Sequence, residues 1–178
     1  MSYPEPRYLA DVGEITAKFR HATHEPELNI GNRATVHYLA TGASTHGQFG
    51  FYKWEMHAGT PGPVPHFHKT MSESFFILSG RVNLFDGKKW IDAKHGDFLY
   101  VPEGGIHGFH NDSGEHASML IIFAPGAARE GYFQAIAERA AGRQFTDEQW
   151  AEICMQHDNY FIDEKSKALY AKLKHFKS

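Results

Sequence analysis

Cysteine is almost missing from this chain: Cys154 is the single one in 178 residues. One thiol excludes an internal disulfide and suits a reducing compartment, so a cytoplasmic location is expected. Long hydrophobic runs are lacking as well. The opening segment "MSYPEPRYLADVGEITAKF" carries two prolines and scattered charges where a signal peptide would carry an apolar stretch. Nothing approaches the length of a membrane span, so no membrane partner is expected. Excess charge is absent too, since 18 Lys and Arg stand against 21 Asp and Glu for a formal net charge of −3. Without a basic block there is no electrostatic footprint for nucleic acid. Internal repeats and low-complexity tracts are also lacking.

Histidine and phenylalanine, in contrast, are plentiful, with 13 and 14 copies. Histidine is the commonest metal ligand, and a phenylalanine-rich chain suits a barrel interior or a pocket for a flat ligand. From about Arg33 to Ala124 the pattern is one of short β runs with turn punctuation and no helical periodicity. The expected strands are "RATVHYLA", "GQFGFYKWEMH", "ESFFILSG", "RVNLFDG", "KWIDA", "DFLYVP", "IHGFHN" and "SMLIIFA", with a tight hairpin turn at Asp86-Gly87. Many short strands without intervening helices predict an all-β sandwich or barrel.

After Pro125-Gly126 the texture becomes helical. "AREGYFQAIAERAAG" spaces Tyr132, Phe133, Ile136 and Ala140 along one face and ends at Gly142. In "TDEQWAEICMQH", Thr146 and Gln149 form a capping box before a stripe of Trp150, Ile153 and Cys154. A last helix is expected in "DEKSKALYAKLKHF". The organisation expected is an N-terminal arm over residues 1–30 packing on the barrel, a barrel over 31–125, and a C-terminal helical extension of the same domain over 126–178.

The chemistry concentrates in "VPHFHKTMSESFFILSG", Val64 to Gly80. His66 and His68 are two apart, so an extended backbone points both to one face. Glu73 heads the next β run and shares its face with Phe75 and Ile77, which makes that face the inner one. A carboxylate leading an apolar inward row is costly unless it is paired or bound to a cation. Two imidazoles and a carboxylate on neighbouring inward positions are a set that first-row transition metals accept. "GDFLYVPEGGIHGFHN" adds a further ligand, because its turn brings His107 into a new strand with Phe109 on the same side and His110 on the other. The remaining histidines read as solvated or hydrogen-bonded structural residues, His37 and His57 among them.

These two stretches resemble the paired motifs of the cupin superfamily. The first motif is His-x-His, four residues, Glu, six residues, Gly, matched by His66, His68, Glu73 and Gly80. The second is matched by Gly96, Pro102, Gly104, His107 and Asn111, and 15 residues, Arg81 to His95, separate the two. One departure is Thr60, which stands where the first motif would begin with glycine, with Gly59 and Gly62 nearby. The resemblance implies a cupin (double-stranded β-helix, jelly-roll) barrel holding one divalent transition metal on His66, His68, Glu73 and His107. Iron, manganese, nickel, cobalt, copper and zinc all accept such ligands. Phe51, Phe75, Ile77, Phe109, Ile121 and Phe123 are expected to form an apolar substrate wall, with Tyr52, Trp54, Tyr100 and Met119 as the alternates if the register is off by one.

Within the superfamily the chain looks most like quercetin dioxygenase-like proteins, through the gap before Glu73, the "GDFLYVP" strand and the "FAPGAAREGYF" passage, whose aromatic helix would cap the barrel mouth. That implies a metal-dependent dioxygenase acting with dioxygen on an enol-bearing aromatic, flavonoid-like or polyketide-like small molecule, with Glu73 both ligand and proton acceptor. The alternatives are an oxygen-independent isomerase, cyclase or decarboxylase using the metal as a Lewis acid, and a non-catalytic small-molecule-binding cupin. A DNA-binding regulator would need a basic recognition helix, and the C-terminal helices carry Glu138, Asp147 and Glu148 instead. A homodimer is the expected assembly, since exposed strand edges invite pairing.

Overall fold

The computed structural model describes residues 3–175. Ten strands precede the first helix: β1 (Leu28–Ile30), β2 (Ala34–Ala40), β3 (Gly50–Met56), β4 (His66–Phe67), β5 (Ser72–Ser79), β6 (Arg81–Phe85), β7 (Trp90–Lys94), β8 (Phe98–Val101), β9 (Gly108–His110) and β10 (Ala117–Ala124). Then follow α1 (Glu130–Ala140), α2 (Asp147–Gln156), a two-residue strand β11 (Tyr160–Phe161) and α3 (Glu164–His175). No helix among the described residues is long and apolar enough to cross a membrane.

The strands form two facing layers, an all-β jelly roll. One is a six-stranded antiparallel sheet in the order β1-β2-β3-β10-β5-β8. The other is built from β7-β6-β9 and the pair β11-β4, and these two pieces are joined by a bridge between His66 and His107 with both backbone N–H···O bonds at 2.9 Å. Strict alternation builds the interior, as expected where one face of a strand is buried. On β3, Tyr52, Trp54 and Met56 point in; on β5 it is Glu73, Phe75 and Ile77; on β10 it is Met119, Ile121 and Phe123. Each fully buried Phe or Ile contributes about 1.5–3 kcal/mol by leaving water.

Turn chemistry sets the register. β6 and β7 close at Phe85↔Trp90, where the Asp86 carboxylate accepts from the N–H groups of Lys88 and Lys89, each at 2.8 Å. Gly80, between β5 and β6, has φ 68° and its missing Cβ would lie 2.3 Å from the His116 carbonyl oxygen, so the chain can cross there only as glycine.

The Thr60 departure is accommodated locally. Its hydroxyl lies 2.7 Å from the carbonyl oxygens of both Arg33 and His57, to either of which its single proton can be donated, and close backbone passage falls instead to Gly62, whose Cβ would stand 1.7 Å from the Phe109 carbonyl oxygen.

The helical extension folds back over the barrel. Tyr132, Phe133, Ala135 and Ala137 are the buried residues of α1, and the Thr146–Gln149 capping box starts α2. β11 was not foreseen; two residues give no periodicity to read. The N-terminal arm departs from expectation in its packing. Residues 3–19 form no helix or strand and are exposed along their length, because Leu9, Val12, Ile15 and Phe19 are interspersed with charges and meet no face of the barrel. The chain first meets the barrel at Glu27, whose carboxylate accepts from the Tyr38 N–H at 2.7 Å and pairs with Arg20 at 2.8 Å.

Candidate metal centre

His66, His68, Glu73 and His107 meet inside the barrel, one ligand atom of each lying within 4.8 Å of the others, and all four are buried. The two layers supply them from opposite sides. His66 opens β4 and His68 follows it, His107 stands just before β9, and Glu73 comes across from β5 of the large sheet. The ring centroids of His66 and His107 are 4.3 Å apart, and His68 lies 5.1 Å from each.

Backbone carbonyls fix the tautomers. Nδ1 of His66 lies 3.0 Å from the Val64 carbonyl oxygen, Nδ1 of His68 2.6 Å from that of Asp158, and Nδ1 of His107 2.9 Å from that of Gly105. A carbonyl can only accept, so each Nδ1 carries the proton and donates it. In the neutral ring each Nε2 is then left with a bare lone pair. Two of those nitrogens face the same carboxylate oxygen, Glu73 Oε2, at 2.9 Å from His68 and 2.7 Å from His107. Acceptors crowded together this closely need a cation between them, either protons or a metal ion. A histidine whose Nδ1 is held by a carbonyl is the usual preparation for Nε2 ligation, so the donor set fits a divalent transition metal.

The electrostatics agree. Burial, together with the neighbouring His107 and His68, drives the His66 pKa well below its ordinary value, so that ring stays neutral. Burial works against charging His107, but Glu73 beside it outweighs burial and raises its pKa. Burial also opposes the Glu73 carboxylate, and the charge and hydrogen bonds of His107, with those of His68, hold it below the usual carboxylate range all the same.

A small chamber of about 40 Å³ adjoins the cluster, lined by His66 and Glu73. It lies beside an outer cavity of about 560 Å³ with which it shares Trp54, Pro63, Phe109, Tyr132 and Ile136 as lining. Of the expected apolar wall, Phe109, Ile121 and Phe123 line the chamber. Phe75 and Ile77 point inward but fill the core, Phe75 packing against Phe109 with centroids 5.8 Å apart. Phe51 is corrected: it shares its face of β3 with Lys53 and Glu55 and points outward, while Trp54 takes the inward place. That parity signal was present in the sequence, because a face carrying both Lys53 and Glu55 is a solvent face. Of the other alternates, Tyr52 and Met119 are buried and Tyr100 is 56% exposed.

The extension contributes chamber residues that the sequence reading did not single out, chiefly Arg129 and Asn159, alongside Tyr132 and Phe133 of the capping helix. Nothing local marks Arg129 in "GAAREGYF", since an arginine before a helix reads as solvated. Asn159 lies beside the unforeseen β11.

Comparison with known proteins accords with the geometry. Residues 52–123 match the family model of the cupin domain. Over 82 residues the chain is 30% identical to the quercetin 2,3-dioxygenase of Bacillus subtilis (strain 168), a match covering 46% of this chain and 24% of that protein. The chain therefore spans only about a quarter of that relative's length. Among solved structures, a predicted oxalate decarboxylase from Thermotoga maritima superposes with a TM-score of 0.55 at 21% identity, covering 61% of this chain and 99% of the other. The polyketide cyclase RemF from Streptomyces resistomycificus superposes with a TM-score of 0.52 at 16% identity, covering 71% and 98%. At such identities the likeness is one of fold. Strand order, paired motifs and matched segment agree, and the barrel that gathers His66, His68, Glu73 and His107 is a cupin barrel.

Proposed function

We propose that this cupin is a metal-dependent dioxygenase acting on an enol-bearing aromatic or polyketide-like small molecule. The observation that carries the metal is the convergence of one ligand atom from each of His66, His68, Glu73 and His107 within 4.8 Å while every Nδ1 is engaged by a backbone carbonyl. The oxygen chemistry draws its support from the partial likeness to the Bacillus subtilis quercetin 2,3-dioxygenase. His66, His68, Glu73 and His107 would hold a divalent transition metal, which would supply Lewis acidity there.

The chain's own residues do the rest. Trp54, Phe109, Ile121, Phe123 and Phe133 line the approach with apolar surface, excluding water and accepting a flat ligand. The three carbonyl-anchored histidines keep their lone pairs directed at one point. Glu73 is the only carboxylate lining the chamber among the described residues and therefore the group that receives a hydroxyl proton from the substrate.

The test combines elemental analysis with an oxygen electrode. Purified protein is expected to carry about one metal ion per chain and to consume dioxygen with an enol-bearing aromatic such as a flavonol. His66→Ala and His107→Ala should lose the metal while keeping the far-ultraviolet circular dichroism of the parent. Glu73→Gln should retain part of the metal and lose about a hundredfold or more in turnover. Metal content unchanged in both histidine variants would remove the ligand assignment. Undiminished turnover without oxygen would replace the dioxygenase by Lewis-acid isomerisation, cyclisation or decarboxylation.

A further inference from the structure

Three residues that line the inner chamber hold buried polar atoms with no hydrogen-bond partner: Nε1 of Trp54, Nε of Arg129, and both Nδ2 and Oδ1 of Asn159. They are 7%, 3% and 0% exposed. Buried polar groups are nearly always satisfied, so three such residues around one small void mark the place of a missing ligand group. From this convergence we infer that the chamber binds the acid group of an organic carboxylate, whose apolar body occupies the outer cavity.

Charge points to an anion. The Arg129 guanidinium has its carbon 4.9 Å from the Phe123 ring centroid and 4.8 Å from that of Tyr132, and its Nη1 donates to the His157 carbonyl. It forms no salt bridge with a carboxylate among the described residues, although a buried charge is stable only when compensated. Aromatic faces attract the cation but leave in-plane N–H groups such as Nε–H unengaged, and the planar fork is shaped for a carboxylate. Arg33 and Arg139 line the outer cavity, so the route inward is basic and would favour approach of an acid. Among the described residues Glu73 is the only carboxylate lining either cavity.

Donor count and size narrow the class. Trp54 and Arg129 can only donate, and Asn159 offers both donors and an acceptor, which suits an acceptor-rich head group. A chamber of about 40 Å³ exceeds the roughly 10–15 Å³ that one water needs, so it has room for a small head group such as a carboxylate. The outer cavity, of about 560 Å³, is large enough for an aromatic or aliphatic body, and Met56, Val64, Trp150 and Phe161 are among its walls. His66 and Glu73 border the same chamber, so the carbon next to the acid group lies against the four-residue cluster. An enolisable 2-oxo acid with an apolar body satisfies every one of these conditions.

This deepens the proposed function and rests on it only for the chemistry at that neighbouring carbon, because binding of the acid is measured apart from metal content and oxygen uptake. The experiment is isothermal titration of the full chain at neutral pH with phenylpyruvate and benzoate, each against its methyl ester, with metal content and melting temperature recorded on the same samples. The parent should bind the acids about tenfold or more tightly than the esters. Arg129→Met keeps an apolar stem against Phe123 and Tyr132; it should abolish that preference and leave ester affinity and metal content unchanged. Asn159→Asp, which places a competing carboxylate in the chamber, should weaken the acids alone and provides the test if Arg129→Met does not fold. No preference for acid over ester in the parent overturns the inference, as does equal weakening of both in the folded variants. A parent that prefers the acid yet carries no metal leaves the inference standing and removes the dioxygenase reading.

Discussion

The His68 ring shows how a single contact decides a residue's chemistry: its Nδ1 donates to the Asp158 carbonyl at 2.6 Å, which leaves Nε2 nothing to offer but a lone pair. His37, equally a histidine on a strand, has the opposite use. Its Nε2 donates to the Glu55 carboxylate at 2.9 Å, and Lys53 pairs with the same carboxylate at 2.8 Å on the outer side of the sheet. Lys53 first, then the His37 ring, lower the Glu55 pKa from 4.5 to about 2, against the opposing effect of burial. A carboxyl that ionises more readily folded than unfolded stabilises the fold above the unfolded value and loses that contribution as pH falls from about 4.5 to about 2. Glu55→Gln should therefore be less stable than the parent by about 1 kcal/mol at neutral pH, a figure discounted for the group's partial exposure. Urea midpoints should converge near pH 2; a difference that persists there would show that the carboxylate's charge is not what stabilises. At this scale His66, His68 and Glu73 were legible in the sequence because their spacing is local, and the set with His107 was what the cupin resemblance implies. Arg129 was not legible, since its burial depends on a helix folding back over a barrel.

Among the elements, the shortest does the most positioning. β11 pairs with β4 through Tyr160↔Phe67 and Phe161↔His66, and Asp158, two residues before it, is held by side chain as well as backbone. Asp158 has φ 54°, a left-handed conformation that Asp tolerates better than most residues. Its carboxylate accepts from the N–H groups of Lys69 and Thr70 and from the Thr70 hydroxyl at 2.8–3.0 Å. Asp158→Ala should cost about 1–3 kcal/mol and lower the melting temperature by roughly 3–10 °C; the same change with Asn, which keeps the backbone preference, should cost less. If Asp158→Ala melts like the parent, the carboxylate's bonds to Lys69 and Thr70 are not what holds this segment. All eight strands expected from alternation are present, as are the three helices, because each carries its own period or cap. β1 and β11, of three and two residues, are too short to show a period of their own, and β11 is set by a partner distant in sequence. On β3, the same alternation that gave the strand was read one residue out of step.

For the whole molecule, the cluster joins the two layers at the point where the C-terminal extension closes over them. A ligand that binds only the folded arrangement stabilises it by mass action. With free metal at about a hundred times its dissociation constant the gain is about 2.7 kcal/mol, or roughly 5–11 °C in melting temperature for a chain of this size. Dialysis against a chelator should reverse that shift, and re-addition of the metal should restore it. Melting that ignores both treatments would mean that the cluster takes up no stabilising cation. The two-layer architecture could be read from strand count and turns, whereas closure by the extension was expected only through the resemblance, because it depends on surfaces that only tertiary packing brings together. The contact between His68 and Asp158 spans 90 positions, and this gives the centre a place in time as well as in space. At about 5–20 residues per second on the ribosome, the carbonyl that fixes the His68 tautomer is made roughly 5–18 s after the ring it holds. Strands β1 to β10 are made before that, so of the three carbonyls that orient the histidines, those of Val64 and Gly105 are made early and that of Asp158 comes late.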